Sequence, residues 1–229
     1  MAKESLEQKV KNMEETMKSF QREIERLQAV NEIQNLMSKY EYLHTANRHK
    51  DVMELYAKNA PGVRVYWGEL GYWEGPDAPK RVWGILDRLS EKARTGMMAI
   101  HPTTTPVIEV AADGKTAKGV WTGTGFVARN SETGEPQAMW EWDKYGVDFI
   151  KEDGKWKFWH LHIYRIFRSR WDKGFGSWDP DAAVSLEIPD EHKPDGPAVD
   201  DYPYRRDTLG QLAPVPPEPY DTFDPKNMY

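Results

Sequence analysis

The chain has 229 residues and no cysteine, with 31 lysines and arginines against 37 aspartates and glutamates, a formal net charge of −6. This excludes a disulfide framework and any thiolate chemistry, and it argues against a general nucleic-acid binder, which needs a basic surface. No stretch approaches the roughly 18 apolar residues of a membrane span, and the N-terminus lacks an apolar run, so a soluble, cytoplasmic protein with no membrane partner is expected.

Leu6, Val10, Met13, Met17, Phe20, Ile24 and Leu27 alternate spacings of four and three without a break, which is a heptad seam. A lone helix of this kind is marginal in water, so the segment 1–27 asks for a partner. Another copy of the chain or the body of the protein would serve; a homo-oligomer, dimer or trimer, is the expectation. After Leu27, Val30, Ile33, Met37, Tyr40 and His44 make the wider stripe of a helix packed on a core. A second helix follows over 49–58. "VRVYWGELGYWEG" reads as two short strands about a turn, and "PDAPKRVWGILDRLSEKAR" as a third helix.

From residue 97 the pattern becomes long β-rich runs broken by "ADGK", "NSETGEP" and "EDGK", which have hairpin-turn composition. Helices first and an antiparallel meander second define an α+β body over 28–175. Residues 176–229 differ: ten of the sixteen prolines lie there, with many acids and interspersed aromatics. Such a tail is either disordered or an extended arm lying over the body or a neighbouring subunit.

Candidate chemistry concentrates in the strands. In "KFWHLHIYRIF" (157–167) strict alternation would place Phe158, His160, His162, Tyr164 and Ile166 on one face. The two histidines could be a metal pair, acid–base groups lining a pocket, or hydrogen-bonded core residues. A metal site would need a third ligand, from His101, Glu141 or Asp143. In "AMWEWDKYGVDFI" alternation sets Met139, Glu141, Asp143, Tyr145 and Val147 together; Glu141 is expected to face solvent or an interface, and Asp143 is a pocket candidate. Ten tryptophans favour a bulky apolar or aromatic ligand over a sugar or a phosphate.

The order helix–helix–strand pair–helix–long strands, with "AVNEIQNLMSKYEYLHTANRHKDVMELYAKNA" in front, resembles the SnoaL-like branch of the nuclear transport factor 2-like superfamily. Tyr40 on the first helix, "ELYAKNA", the histidine opening "HPTTTPVIEVAADGKTAKGVW" and "DGKWKF" before the last strand carry the resemblance. It implies a cone of curved sheet with helices closing one side over a deep pocket. It further implies a cofactor-free, metal-free dehydratase, isomerase, cyclase or carbon–carbon lyase, lyases on lignin-derived diaryl compounds included. By position it assigns Tyr40 and His101 to catalysis and Tyr66 to the pocket. The chain departs from the bile-acid dehydratase pattern at Thr45 and Gly125, where acids are expected. His160, His162 and Asp143 complete the catalytic candidates; His44, Trp83, Trp121, Trp140 and Tyr164 join Tyr66 as substrate contacts. The expected activity is a lyase eliminating water or formaldehyde from an aromatic small molecule, with a non-catalytic binding or assembly module of the same fold as the alternative.

Overall fold

A computed structural model describes residues 5–130, 134–177, 188–199 and 202–229. Parts of two expectations, the middle of the "NSETGEP" turn and stretches of the proline-rich tail, lie outside the described residues. Helix α1 (Leu6–Thr45) begins where the Ser5 side chain accepts a hydrogen bond from the Gln8 amide at 3.2 Å. It runs unbroken through Leu27, so the seam and the core stripe are two faces of one 40-residue helix. Ala29, Ile33, Met37, Tyr40 and His44 are buried, whereas the seven seam residues are 47–78% exposed. The seam therefore does not pack on the body.

Helix α2 (His49–Met53) is shorter than the sequence pattern suggested, and β1 (Arg64–Trp67) and β2 (Gly71–Glu74) form the antiparallel pair. The third helix divides into α3 (Ala78–Asp87) and α4 (Glu91–Arg94) because Ser90 caps the second piece, accepting from the Ala93 amide at 3.1 Å. The remaining strands are β3 (Met98–Ile100), β4 (Thr104–Val110), β5 (Thr116–Asn130), β6 (Pro136–Glu152) and β7 (Lys155–Arg170). The order is β2-β1-β7-β6-β5-β3, with β4 also on β5, and β1 runs parallel to β7. Asp153 and Gly154, both at positive φ (48° and 75°), make the tight β6–β7 turn. The sheet is curved and does not close. Val82, Trp83 and Ile85 of α3 join Ile33, Met37 and Tyr40 of α1 against Val65, Val147, Phe149, Phe158 and Leu161.

Two irregularities in β7 correct the strict alternation expected there. The β6–β7 register passes from Asp148↔His160 to Phe149↔Phe158, and from Trp142↔Phe167 to Asp143↔Arg165, leaving Trp159 and Ile166 unpaired. Each such bulge turns the strand over by one residue. Phe158 thus joins Leu161, Ile163 and Arg165 on the helix-covered inner side, while His160, His162 and Tyr164 lie on the outer side.

That outer side is covered by the described parts of the tail. The Tyr229 amide donates to Asp148 Oδ2 at 3.0 Å, Lys144 Nζ to the Ala213 carbonyl at 3.0 Å, and the Tyr204 amide to the Ile166 carbonyl at 2.7 Å. Further back, the Trp73 indole donates to the His192 carbonyl at 2.8 Å, and Arg81 pairs with Asp195. The described tail is an extended arm on its own body. Among the described residues no helix is long and apolar enough to cross a membrane.

Candidate active site

Strand β6 keeps its alternation, and so it turns Glu141 and Asp143 inward beside Tyr145 and Val147. This overturns the expectation for Glu141, which is 1% exposed. Its residue-for-residue partner across β5 is Gly125. A Cβ there would stand 2.4 Å from Glu141 Cγ and 2.7 Å from His101 Cδ2, so glycine is what lets the two side chains meet. They do: His101 Nε2 and Glu141 Oε1 are 2.7 Å apart. Position 125 itself carries no acid, and Glu141 of the neighbouring strand stands beside it.

Beneath this pair lie two arginines. Arg165 Nη1 bonds Glu141 Oε2, and Arg168 Nε donates to the same oxygen at 2.6 Å. Arg165 Nη1 also donates to Asp143 Oδ2 at 3.1 Å and stands 3.0 Å from Oδ1, outside hydrogen-bond geometry for that atom. Glu69, on the turn between β1 and β2, pairs with Arg168 at 2.8 Å. Above, Glu41 of α1 accepts from the His101 amide at 2.6 Å and from the Thr45 hydroxyl at 2.9 Å. Thr45 thus holds an acid in place one turn back on the helix. The Tyr40 ring stacks on His44 at 5.9 Å and meets Trp83 at 5.6 Å; the His44 ring lies 5.3 Å from that of His101. His49 Nε2 and His44 Nδ1 are 3.3 Å apart.

The electrostatics follow from burial set against these partners. At His101 burial opposes the charged form, but the hydrogen bond and charge of Glu141, aided by Asp143 and Glu41, win and raise its pKa. Glu141 is penalised by burial yet held well below the carboxylate range by Arg165, the His101 hydrogen bond and Arg168. Asp143 goes the other way: burial, with Glu141 adding to it and Arg165 opposing, pushes it up to about 7. His44 is pushed well below the imidazole range by burial and by its neighbours His101 and His49. Burial raises Tyr40 well above its ordinary value, so its phenol keeps its proton. Five side-chain polar atoms in this cluster are buried without a hydrogen bond: His101 Nδ1, Asp143 Oδ1, Glu41 Oε2, His49 Nδ1 and Arg165 Nε, the last 3.5 Å from Glu69 Oε2.

Not every candidate from the sequence belongs here. Tyr40, His44, Trp83, His101 and Asp143 converge, and Trp121 lies in the same interior, its indole donating to Gln34 Oε1 at 3.2 Å. Tyr66, His162 and Tyr164 instead form a stack on the outer side, with centroids 4.4 and 3.8 Å apart. His160 bonds Asp148 there at 2.8 Å. Trp140 packs at the far end of the sheet with Phe167, Trp171 and Phe175. Missed were the inward Glu141, both arginines, Glu41, Glu69 and Tyr145. A signal existed for Arg165, which shares the face of Leu161 and Ile163; an inward arginine demands inward acids.

Side-chain atoms of His101, Glu141 and Asp143 lie within 4.8 Å of one another, close enough to hold a cation. Both carboxylates are already engaged by Arg165, however, and Glu141 by Arg168 as well, so the positive charge a metal would bring is supplied by guanidinium groups. Two surface clefts of about 360 and 300 Å³ flank α1, and neither is lined by a residue of this cluster. His101 keeps 9% of its surface exposed, so the pair sits just below the surface.

The chain belongs to the SnoaL-like domain family, whose model matches residues 25–162. Solved structures with this fold include a proposed scytalone dehydratase from Novosphingobium aromaticivorans, 17% identical with TM-score 0.51 over 69% of this chain and 97% of that one. A type 2 hexachlorocyclohexane dehydrochlorinase (LinA) is 17% identical, TM-score 0.53, over 67% and 95%. A type 3 LinA from Novosphingobium barchaimii is 18% identical, TM-score 0.51, over 67% and 97%. At such identities the likeness is one of fold. No curated protein matches the chain by sequence.

Proposed function

We propose that the chain is a cofactor-independent lyase acting on a hydrophobic, aromatic small molecule. The observation that carries this reading is the buried His101–Glu141 pair with a partnerless imidazole nitrogen. With Nε2–H donated to Glu141, the neutral ring presents Nδ1 as a base, and the anion behind it strengthens that base. Tyr40, protonated and near His44, donates to oxyanion charge as it develops. Asp143, titrating about 7, is matched to deliver a proton to a leaving oxygen. An acid and a base held apart in this way are what an elimination needs.

The substrate we favour is a diaryl-propane diol, to which the tryptophans and tyrosines around the pair are suited. His101 takes the proton of the terminal CH2–OH, the carbon–carbon bond breaks to release formaldehyde, and its electron pair forms the new alkene. The benzylic hydroxyl leaves as water with the proton from Asp143. Elimination of water alone uses the same groups. The LinA dehydrochlorinases and the proposed scytalone dehydratase have this fold, and their names describe eliminations too.

The test is direct. The protein is incubated with diaryl-propane diols and hydroxylated polycyclics, and the ultraviolet absorbance of a conjugated product is followed. Acid–base groups contribute ~10²–10⁴-fold, so His101→Ala should lower kcat by that much while KM moves little, and Tyr40→Phe by somewhat less. Binding without turnover would instead favour a ligand-binding module. Turnover within threefold of the parent in both variants would make the pair structural.

A further inference from the structure

The exposed seam of α1 is an apolar surface that the site does not use. Its seven residues fall at the inner heptad positions, with Val10, Met17 and Ile24 at a and Leu6, Met13, Phe20 and Leu27 at d. At about 100° per residue, the seam stands about 170° around α1 from the buried Ala29, Ile33, Met37, Tyr40 and His44. Only the last seam residue, Leu27, borders the body, lining a cleft with Pro106 and Ile108; the rest of the seam is exposed, so a second helix can approach it without meeting the body. We propose that this face binds the same face of a second copy of the chain, as a parallel, in-register, two-stranded coiled coil.

Side-chain identity and charge both choose that arrangement. β-Branched residues at two of three a positions, with leucine at both ends of the d series, favour two strands over three. In a parallel pair, Lys9 at g faces Glu14 at e of the other chain, twice by symmetry. The later flanking positions, Thr16 with Gln21 and Glu23 with Gln28, bring no like charges together. An antiparallel pair overlapping from Val10 to Leu27 would set Lys9 against Val30 and Glu14 against Gln21, losing both attractions. The seam also ends beside the cleft lined by Leu27, Val30, Asn31, Gln34, Pro106 and Ile108. In register, the partner's Leu27 and Asn31 arrive next to that opening, so the contact can continue past the free part of the helix.

The absence of cysteine makes the orientation readable in the full chain. Leu6→Cys and Leu27→Cys are prepared singly and oxidised at micromolar concentration. The expected result is that each alone gives a disulfide-linked dimer as the main species, and that light scattering of the parent finds twice the chain mass. A Phe20→Lys, Ile24→Lys variant, altered only on exposed side chains, should fall to the mass of one chain with its far-ultraviolet spectrum intact. A monomeric or trimeric parent would overturn the proposal. So would cross-linking only in a mixture of Leu27→Cys with Val10→Cys, the antiparallel signature.

Discussion

The two faces of the sheet each bury a histidine against a carboxylate, and the comparison shows why one pair is a candidate for catalysis. Inside, His101 and Glu141 meet at 2.7 Å; outside, His160 and Asp148 meet at 2.8 Å. Both carboxylates are nearly inaccessible and both have a cation beside them, Arg165 within and Lys118 without. What differs is capacity. Asp148 is held by His160, Lys118 and the Tyr229 amide, and the His160 ring packs against Trp159 and Phe223. The inner cluster retains buried atoms without a hydrogen bond, among them His101 Nδ1 and Glu41 Oε2, while Asp143 Oδ1 has only its ion pair with Arg165. A buried polar group without a partner costs about 1–3 kcal/mol, and a fold that tolerates several such groups together keeps them available for a ligand.

The comparison can be broken most severely from the inner side. Arg165 is the common partner of Glu141 and Asp143, so Arg165→Met leaves two buried acids short of their cation. Removing one member of a buried pair costs about 3–5 kcal/mol, and urea unfolding should show a loss of that size. If the midpoint hardly moves, the cluster is wetter and weaker than its geometry implies.

Asp143→Asn sharpens the same point through pH. A carboxyl raised from 3.8 to about 7 stabilises the fold fully below its unfolded pKa and loses that contribution as pH rises through about 7. Replacing it with a neutral amide removes the loss. Each tenfold difference in proton affinity between the folded and unfolded chain is worth ~1.4 kcal/mol. The variant should therefore gain on the parent by a few kcal/mol between pH 4 and pH 7–8. Parallel stability curves across that window would refute the raised pKa. Glu141→Gln acts on the rate instead. Glu141 raises His101, so the acidic limb of the parent's pH–rate profile should lie above 6.5 and move to lower pH in the variant, with kcat reduced about tenfold or more.

The outer pair should give a smaller and different effect. His160→Ala leaves Asp148 its lysine and its amide, so the cost is about 1–2 kcal/mol in stability. Turnover should stay within threefold of the parent. A loss comparable with that of His101→Ala would return His160 to the catalytic list.

How much of this was legible in the chain depends on whether local pattern or strand register decided it. The α+β order, the long helix, the hairpin turns and the convergence of Tyr40, His44 and His101 follow from periodicity and from the family resemblance. The faces of β7 do not. Two unpaired residues, Trp159 and Ile166, carry His160, His162 and Tyr164 to the outer side, and no propensity marks where a strand will bulge. Glu141 was misplaced for another reason: a lone acid on a strand is usually solvated, and only the β6–β7 pairing shows the arginines that offset its burial. Gly125 carries no acid, and only the pairing of β5 with β6 brings Glu141 beside it.

The smallest expected effect is none. His101, Glu141 and Asp143 have ligand atoms close enough for a divalent ion, yet each carboxylate is held by a guanidinium group. A dication among them would be repelled by Arg165 and Arg168, and it would compete with Glu141 for the His101 nitrogen. Exhaustive chelation should therefore leave turnover of a diaryl substrate within error of the untreated protein, and added zinc or iron should not raise it. One tightly bound zinc or iron per chain, with activity lost on stripping and restored on return, would reverse this reading. The three residues would then be ligands, and the two arginines would have to swing away from the acids they now pair with, a movement the Arg165→Met variant would make unnecessary.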